Sequence, residues 1–309
     1  MGYTNFPNGI TSMGMPVVGG AVLTTGNVFF VDSVTGLNGN SGKDKDHPFA
    51  TIDYAIGRCT ANKGDYIVIM PNHTEDIAAA GGITLDIAGV TLLGLGTGTT
   101  RPTITFSETD STFIISAADC TLFNMVFEAA VAEVVAGIAM SGDADGTVFD
   151  SIESYEGAAA GTYNFVDFTT IATGANNLTW RNCKFIGNDT NNDAFISGVA
   201  HDGFYMDNCY FASNVAQAAV HGLVVSSGNV TNAVITNCYF RSNIDGALWI
   251  DFDGAANSGL VANCYVSSID TAGATSTGDF TGGHFFECYV SGDADAFGLV
   301  GGGGVVYTN

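Results

Sequence analysis

The chain has 309 residues, of which only 13% are charged, and eight basic residues face 31 acidic ones for a formal net charge of −23. Such a chain lacks the basic patches that neutralise phosphates, so partners such as nucleic acid, anionic membrane surfaces or polyanionic polysaccharides are not expected. With 46% apolar residues and 41 glycines, the composition favours a folded protein with many tight bends over a disordered one.

Residues 1–26 are predicted to form an extended N-terminal arm. They mix turn formers with scattered large apolar residues and show no period of 2 or 3.6. No basic start precedes an unbroken apolar run, and no charge-free window of about 18 apolar residues exists in the chain. We therefore expect synthesis in a cytoplasm, no membrane insertion, and an arm that another surface orders.

A strand, a loop and a short helix are predicted after the arm. Residues 27–32 have the composition of a strand, and residues 36–46 form a loop rich in Gly, Asn, Lys and Asp. Residues 49–57 carry apolar side chains at helical spacing, which predicts a short amphipathic helix. Such a helix would cap the open end of a stacked β structure, where core residues and strand edges are otherwise exposed.

A motif of roughly 26 residues repeats from about residue 65 to about residue 300. It reads Asn or Glu, then Cys, one polar or aromatic residue, and Phe or Val, and its cysteines stand 24 to 29 residues apart. This period fits one rung of an all-β solenoid, in which rungs bury their apolar faces against one another. The five clear copies are centred on Cys183, Cys209, Cys238, Cys264 and Cys288.

Within each rung we predict that the Cys and the following Phe or Val point inward and that the Asn stands at a bend. The thiols then form an inward ladder. Disulfides are not expected because stacked positions suit their geometry poorly, and a metal site is not expected because no Cys/His cluster occurs. Weaker copies place Met125 and Ser151 at the Cys position. Simple alternation also places Val234 and Thr236 on the same face as Cys238.

One strand carries a candidate hydrolytic site. Trp249, Asp251 and Asp253 would share one face and offer an aromatic platform with two carboxylates about 7 Å apart. That separation fits inverting glycosidases, but the two preceding rungs, at residues 195–197 and 223–226, supply no supporting carboxylate. A solvated acidic face is the alternative that we favour, so no catalytic, cofactor-binding or metal-binding residue is assigned.

Other acidic and basic patterns are interpreted as structural. Asp143 with Asp145, and Asp293 with Asp295, resemble parts of calcium loops but lack the bidentate Glu at the required spacing. The five histidines are dispersed and stand near no recognisable nucleophile. Eight basic residues offer little material for a lyase that needs Arg or Lys beside calcium-binding carboxylates.

A family resemblance rests on residues 30–32, 48–52 and 55–56, and on the N-terminal residues 4–9. On these, the chain resembles right-handed parallel β-helix proteins of the pectin-lyase-like superfamily, and more narrowly those of tailed-bacteriophage virions. The resemblance implies a right-handed parallel β-helix of about nine rungs over residues 27–309, often assembled as a homotrimer. It does not by itself give a function.

The favoured interpretation is a non-enzymatic virion structural protein that decorates the phage capsid (head), made in the host cytoplasm and located in the virion. Its arm, residues 1–26, would dock on the major capsid protein or another virion protein. The alternative is a tail spike or fibre that binds or hydrolyses host glycans, and a bacterial adhesin is more distant. An outward tyrosine stripe would serve as a trimer interface, a glycan platform or a plain stacked ladder. Its members are Tyr210, Tyr239, Tyr265 and Tyr289.

Overall fold

The structure is a computed structural model that describes residues 11–12, 15–16, 24–156, 163–187, 194–213, 224–242, 250–268, 278–291, 299–300 and 305–308. Within these ranges, strands predominate, and no helix is long and apolar enough to cross a membrane. The N-terminal elements are β1 (Thr11–Ser12), β2 (Met15–Pro16), β3 (Val28–Val31), α1 (Ile52–Ile56), β4 (Tyr66–Ile69), β5 (Thr74–Ile77), β6 (Ile83–Leu85), β7 (Thr91–Gly94), a 3-10 helix (Gly98–Thr100), β8 (Thr103–Phe106) and β9 (Phe113–Ile115).

The remaining elements are all strands. The central ones are β10 (Thr121–Phe123), β11 (Val126–Ala129), β12 (Val134–Met140), β13 (Val148–Asp150), β14 (Glu153–Glu156), β15 (Phe165–Ile171), β16 (Leu178–Arg181), β17 (Lys184–Gly187), β18 (Ala194–Gly198), β19 (His201–Asp207) and β20 (Tyr210–Ser213). The C-terminal ones are β21 (Val224–Ser226), β22 (Val230–Thr236), β23 (Tyr239–Ser242), β24 (Ile250–Phe252), β25 (Gly259–Ala262), β26 (Tyr265–Ser268), β27 (Gly278–Phe280), β28 (Gly283–Ser291), β29 (Leu299–Val300) and β30 (Val305–Thr308).

From β3 onward the strands stack in three parallel columns, which confirms the parallel β-helix. The first column runs from β3 and β4 through β7, β10, β13, β16, β19, β22 and β25 to β28. The second runs from β5 through β8, β11, β14, β17, β20, β23 and β26 to β28. The third sheet contains nine strands, from β6 to β29. The solenoid has about seven turns, slightly fewer than the nine predicted.

The bend between the first and second columns is built by a residue in the left-handed region, where Asn is favoured among non-glycine residues. The amide Nδ2 of Asn208 donates to Oδ1 of Asn182 at 2.9 Å, so the predicted bond between Asn residues of adjacent rungs forms here. The following Cys is buried in all five copies, and so is the residue two positions on in four of them, Phe185, Phe211, Phe240 and Val266, as predicted. Positive φ angles recur at this corner in Asn124, Ser151, Asn182, Asn208, Asn237, Asn263 and Glu287.

The same bend corrects two sequence predictions. Ser151 has a φ of 58° and therefore stands at the Asn position, while Ile152, only 1% exposed, takes the place of the Cys. Val234 and Thr236 are half-buried and outward, whereas Cys238 is buried. The left-handed residue between the strand and the Cys interrupts the alternation of inward and outward side chains. Residues at even spacing therefore do not share a face when the corner lies between them.

Helix α1 caps the first turn over part of the predicted segment 49–57. Thr51 has extended dihedral angles and its hydroxyl accepts the N–H of Tyr54 at 3.4 Å, so the helix begins at Ile52. The backbone N–H of Ile52 donates to the Glu75 carboxylate of β5 at 2.8 Å. The helix buries its apolar residues Ile52, Ala55 and Ile56 in the core.

All seven cysteines are free, and six are buried. Burial raises the pKa of Cys120 to about 11 and that of the half-buried Cys59 to about 12. Burial also raises the pKa of Cys183 above its ordinary 9.0. These three thiols therefore stay protonated at neutral pH, and the burial of all five ladder cysteines agrees with the predicted inward ladder.

A thiol reagent is expected to label the folded protein at no more than about one cysteine at pH 8, and all seven after denaturation. Because the folded pKa values of Cys59 and Cys120 are raised, these two thiols lose their protons first in the unfolded chain as pH rises. Stability is then retained below pH 9 and falls as pH approaches 11 to 12. Rapid labelling of several thiols in the folded state would contradict the ladder.

Candidate functional site

A cleft on the outer face of the third sheet is the best candidate site in the described part of the chain. It has a volume of about 380 Å³ and is formed by β15, β18, β21, β24 and the turns that follow them. Three carboxylates line it, those of Asp167, Asp251 and Asp253, together with the serines Ser197 and Ser226. Its described lining contains no basic side chain, so the cleft is strongly acidic.

Strand alternation places Asp251 in this cleft. Ile250 and Phe252 are 3% and 1% exposed and pack in the core, so the residue between them faces outward. Asp253 follows the strand and is exposed, and one oxygen of Asp251 is fully buried. The predicted sharing of one face by the two carboxylates is thus observed, while Trp249 lies outside the described residues.

Asp167 is the carboxylate that sequence reasoning missed. It lies on β15, three strands from β24, with β18 and β21 between them. Three steps of about 4.8 Å separate β15 from β24 by about 14 Å across the sheet, and Asp167 also lies three residues along β15 from Thr170, which is in register with Asp251. The cleft therefore has room for a short oligosaccharide. The strands between β15 and β24 carry Ser197 and Val225 in register with Asp251 and supply no carboxylate there, as predicted for those two rungs. On the other side of β24, however, β27 places Asp279 in register with Asp251.

The cleft floor is held by a buried histidine beneath a glycine. A Cβ added at Gly198 would lie 3.0 Å from Cε1 of His201, so a larger residue would have to displace the ring. Burial lowers the pKa of His201, and its Nδ1 donates to the carbonyl of Val199 at 2.6 Å. His201 is therefore a neutral packing residue and not an acid at this site.

The other predicted acidic patterns remain apart from the cleft. Asp145 accepts the backbone N–H of Asn176 at 2.6 Å, which makes it part of a turn between rungs. Asp293 and Asp295 lie outside the described residues. Within the described ranges, no group of three or more His, Cys, Asp or Glu side chains is arranged to hold a metal ion.

Basic residues of the central rungs are engaged in ion pairs. Nε of Arg181 donates to Asp150 at 2.8 Å. Burial opposes ionisation of Asp150, but hydrogen bonds from Asn182 and Arg181 outweigh it and lower the pKa of that carboxyl. Lys184 lies 3.2 Å from Glu153. These cations therefore form ion pairs between adjacent rungs of the solenoid and do not line the acidic cleft.

The tyrosine stripe forms the predicted outward column. Tyr210 and Tyr239 are parallel within 1° at a centroid distance of 5.4 Å, and Tyr239 and Tyr265 within 4° at 5.2 Å. The ring of Tyr239 is covered on both faces by its neighbours, so a sugar ring cannot stack on it. The trimer interface, the glycan platform and the plain stacked ladder all stay predictions.

Comparison with known proteins supports the fold and names no family. No protein-family model and no curated protein matches the chain. A rhamnogalacturonan lyase structure aligns at 14% identity with a TM-score of 0.51, covering 89% of this chain and 84% of the lyase. The chain is thus a parallel β-helix protein, and this likeness extends to the fold alone.

Two further solved structures align at lower similarity. A GH136 lacto-N-biosidase from Eubacterium ramulus has 12% identity and a TM-score of 0.47, with 92% of this chain and 67% of that one covered. A tailspike protein of the Acinetobacter baumannii bacteriophage Fri1, a capsular polysaccharide depolymerase, has 14% identity and a TM-score of 0.40. That alignment covers 93% of this chain and 62% of the tailspike.

Proposed function

We propose that this chain binds and hydrolyses a host-surface glycan in the cleft of its third sheet, as a tail spike or fibre of a bacteriophage. The observation that carries the proposal is the meeting of Asp167, Asp251 and Asp253 in one elongated cleft on a rigid sheet. Paired carboxylates are the groups that most glycoside hydrolases use, and a sheet holds them in fixed positions.

The two carboxylates of the β24 region differ in solvent access, which suits them to different roles. The half-buried Asp251 would donate a proton to the glycosidic oxygen as the C–O bond breaks. The exposed Asp253 would take a proton from the water that attacks the sugar carbon. One water is consumed per bond, and two sugar fragments with intact hydroxyls are released. Asp167, at the far end, would hold the chain by hydrogen bonds.

The charge of the cleft limits the substrate. Three carboxylates without a basic lining residue would repel uronic acids, so a neutral glycan or one with amino groups is the expected substrate. The same lining lacks the Arg or Lys that a lyase needs beside calcium-binding carboxylates, which argues against elimination. We therefore propose hydrolysis and not elimination.

Replacing Asp251 with asparagine is expected to lower kcat for glycan cleavage by about 10²- to 10⁴-fold, because the proton donor is lost. The measurement is the release of reducing ends from a panel of neutral, amino-containing and uronic bacterial surface polysaccharides. Asp167→Asn should instead raise KM, since that residue lies at the opposite end of the cleft.

The matched control is Asp143→Asn, which removes one exposed carboxylate outside the cleft. It should leave cleavage within about twofold of the wild type. Hydrolysis is contradicted if the wild-type protein cleaves no member of the panel, or if Asp251→Asn and Asp143→Asn cleave equally well.

Capsid decoration is the second candidate, and one observation favours it. Strands β1 and β2 of the arm pair antiparallel with each other, while no described pairing joins them to the solenoid sheets. A short hairpin that is separate from the stacked columns is a suitable attachment device for another virion protein, such as the major capsid protein.

Deletion of residues 2–20 tests this attachment. The truncated chain should remain folded, because the described solenoid core begins at Phe29 and the cap is intact. It should also fail to join phage particles, which electron microscopy and quantitative gel analysis of purified virions would measure. Normal occupancy of the truncated protein, or its unfolding, would count against the arm as the anchor.

A further inference from the structure

A cavity at the N-terminal end of the solenoid collects basic side chains away from acids. It has a volume of about 480 Å³, and its described lining contains no carboxylate. We propose that this cavity, called here the capping pocket, binds the carboxylate group of a small organic anion. The side chains that argue for it are those of Asn27, Phe29, Lys43, Phe49, Tyr54 and Arg58.

The two cations of the capping pocket form no ion pair among the described residues. Lys45, Arg101, Arg181 and Lys184 each pair with a carboxylate, but Lys43 and Arg58 do not. Acids outnumber basic residues by 31 to eight in this chain. Two unpaired cations in one cavity of such a protein therefore form a local positive site in a negative surround.

The acids closest in sequence are already engaged. Asp44 and Asp46 of the same loop pair with His47 and Lys45. Asp53, next to Tyr54, accepts the backbone N–H of Thr84 at 3.1 Å. Asp65, behind the pocket, accepts the backbone N–H of Asn27 and of Thr60. None of these carboxylates lines the cavity, so its positive charge remains for a ligand.

Aromatic rings hold both cations in place. Nζ of Lys43 lies 3.9 Å from the ring centre of Phe29 and donates to Oδ1 of Asn27 at 2.8 Å. The guanidinium of Arg58 lies 4.6 Å from the ring centre of Tyr54 and donates to the Tyr54 hydroxyl. Cation–π contacts position a cation without neutralising it. An ammonium has three N–H donors and a guanidinium five, so donors remain for a ligand.

This arrangement suits a carboxylate with an attached carbon frame. A guanidinium fork matches the two oxygens of a carboxylate, and an ammonium adds a point charge beside it. The rings of Phe29, Phe49 and Tyr54 offer apolar contact for the rest of the molecule. The pocket lies at the first turn and shares no residue with the acidic cleft, so it does not depend on glycan hydrolysis.

The test uses glucuronate as the probe and glucose as its uncharged counterpart, with binding to the full-length protein measured by titration calorimetry or saturation-transfer NMR. We expect glucuronate to bind and glucose not to bind. Lys43→Gln and Arg58→Gln should each weaken glucuronate binding at least about tenfold. Lys63→Gln, an exposed lysine outside the pocket, is the matched control and should stay within about twofold.

Three results would overturn the proposal. The wild-type protein shows no glucuronate binding at 50 mM, glucose binds as well as glucuronate, or Lys63→Gln weakens binding as much as the pocket variants. The last result would mean that only net charge matters. Circular dichroism of each variant separates loss of the pocket from loss of the fold.

Discussion

Replacing Phe211 with alanine is expected to lower the free energy of unfolding by about 3 to 5 kcal/mol, the usual cost of deleting a buried Phe ring. Phe211 is fully buried and lies between two rings of adjacent rungs. Its centroid is 4.8 Å from that of Phe185 and 4.9 Å from that of Phe240. The substitution therefore removes contacts on both sides and leaves a cavity in the middle of the stack.

The matched control is Tyr210→Ala, one residue earlier on the same strand and on the outer face. Tyr210 stacks on Tyr239 but is only half-buried, so its loss should cost about 1 kcal/mol. Urea denaturation followed by circular dichroism measures both values. Equal losses for the two variants would mean that the described inward and outward faces are wrong.

The first and second columns were predictable because their repeat is a physical requirement. A residue with positive φ is needed at each corner, Asn is favoured there, and the next position must be apolar because it stacks on its neighbours in the core. The same chemistry recurs at Asn182, Asn208 and Asn237. The pattern did not reveal that the alternation of inward and outward side chains starts anew after the corner. For this reason Val234 was predicted on the wrong face.

The candidate sites were less predictable because they come from parts without a repeat. Asp167 reaches the cleft from a strand of the third sheet, whose connections vary in length from rung to rung. A sequence shows Asp251 and Asp253 as neighbours, but the register across β18 and β21 is needed to bring in Asp167. The presence of Lys43 and Arg58 in one pocket likewise depends on how a loop and helix α1 fold over the first turn.

Replacing Asp65 with alanine is expected to cost about 2 to 5 kcal/mol, because the change leaves buried N–H groups without an acceptor. Asp65 is fully buried immediately before β4. Its Oδ1 accepts the backbone N–H of Asn27 at 2.5 Å, and its Oδ2 accepts that of Thr60 at 2.7 Å. One carboxylate, just before β4, thus binds both the residue before β3 and the turn after α1.

The control for Asp65→Ala must account for charge, since removing any acid from a chain of net charge −23 relieves self-repulsion. Asp46→Ala removes the same charge from an exposed residue whose ion pair with Lys45 contributes little. The difference between the two variants therefore isolates the lost hydrogen bonds at the cap. Asp65→Asn, which keeps one acceptor oxygen, should fall between them. If Asp65→Ala is no less stable than Asp46→Ala in urea denaturation, the first rung is not held by this carboxylate.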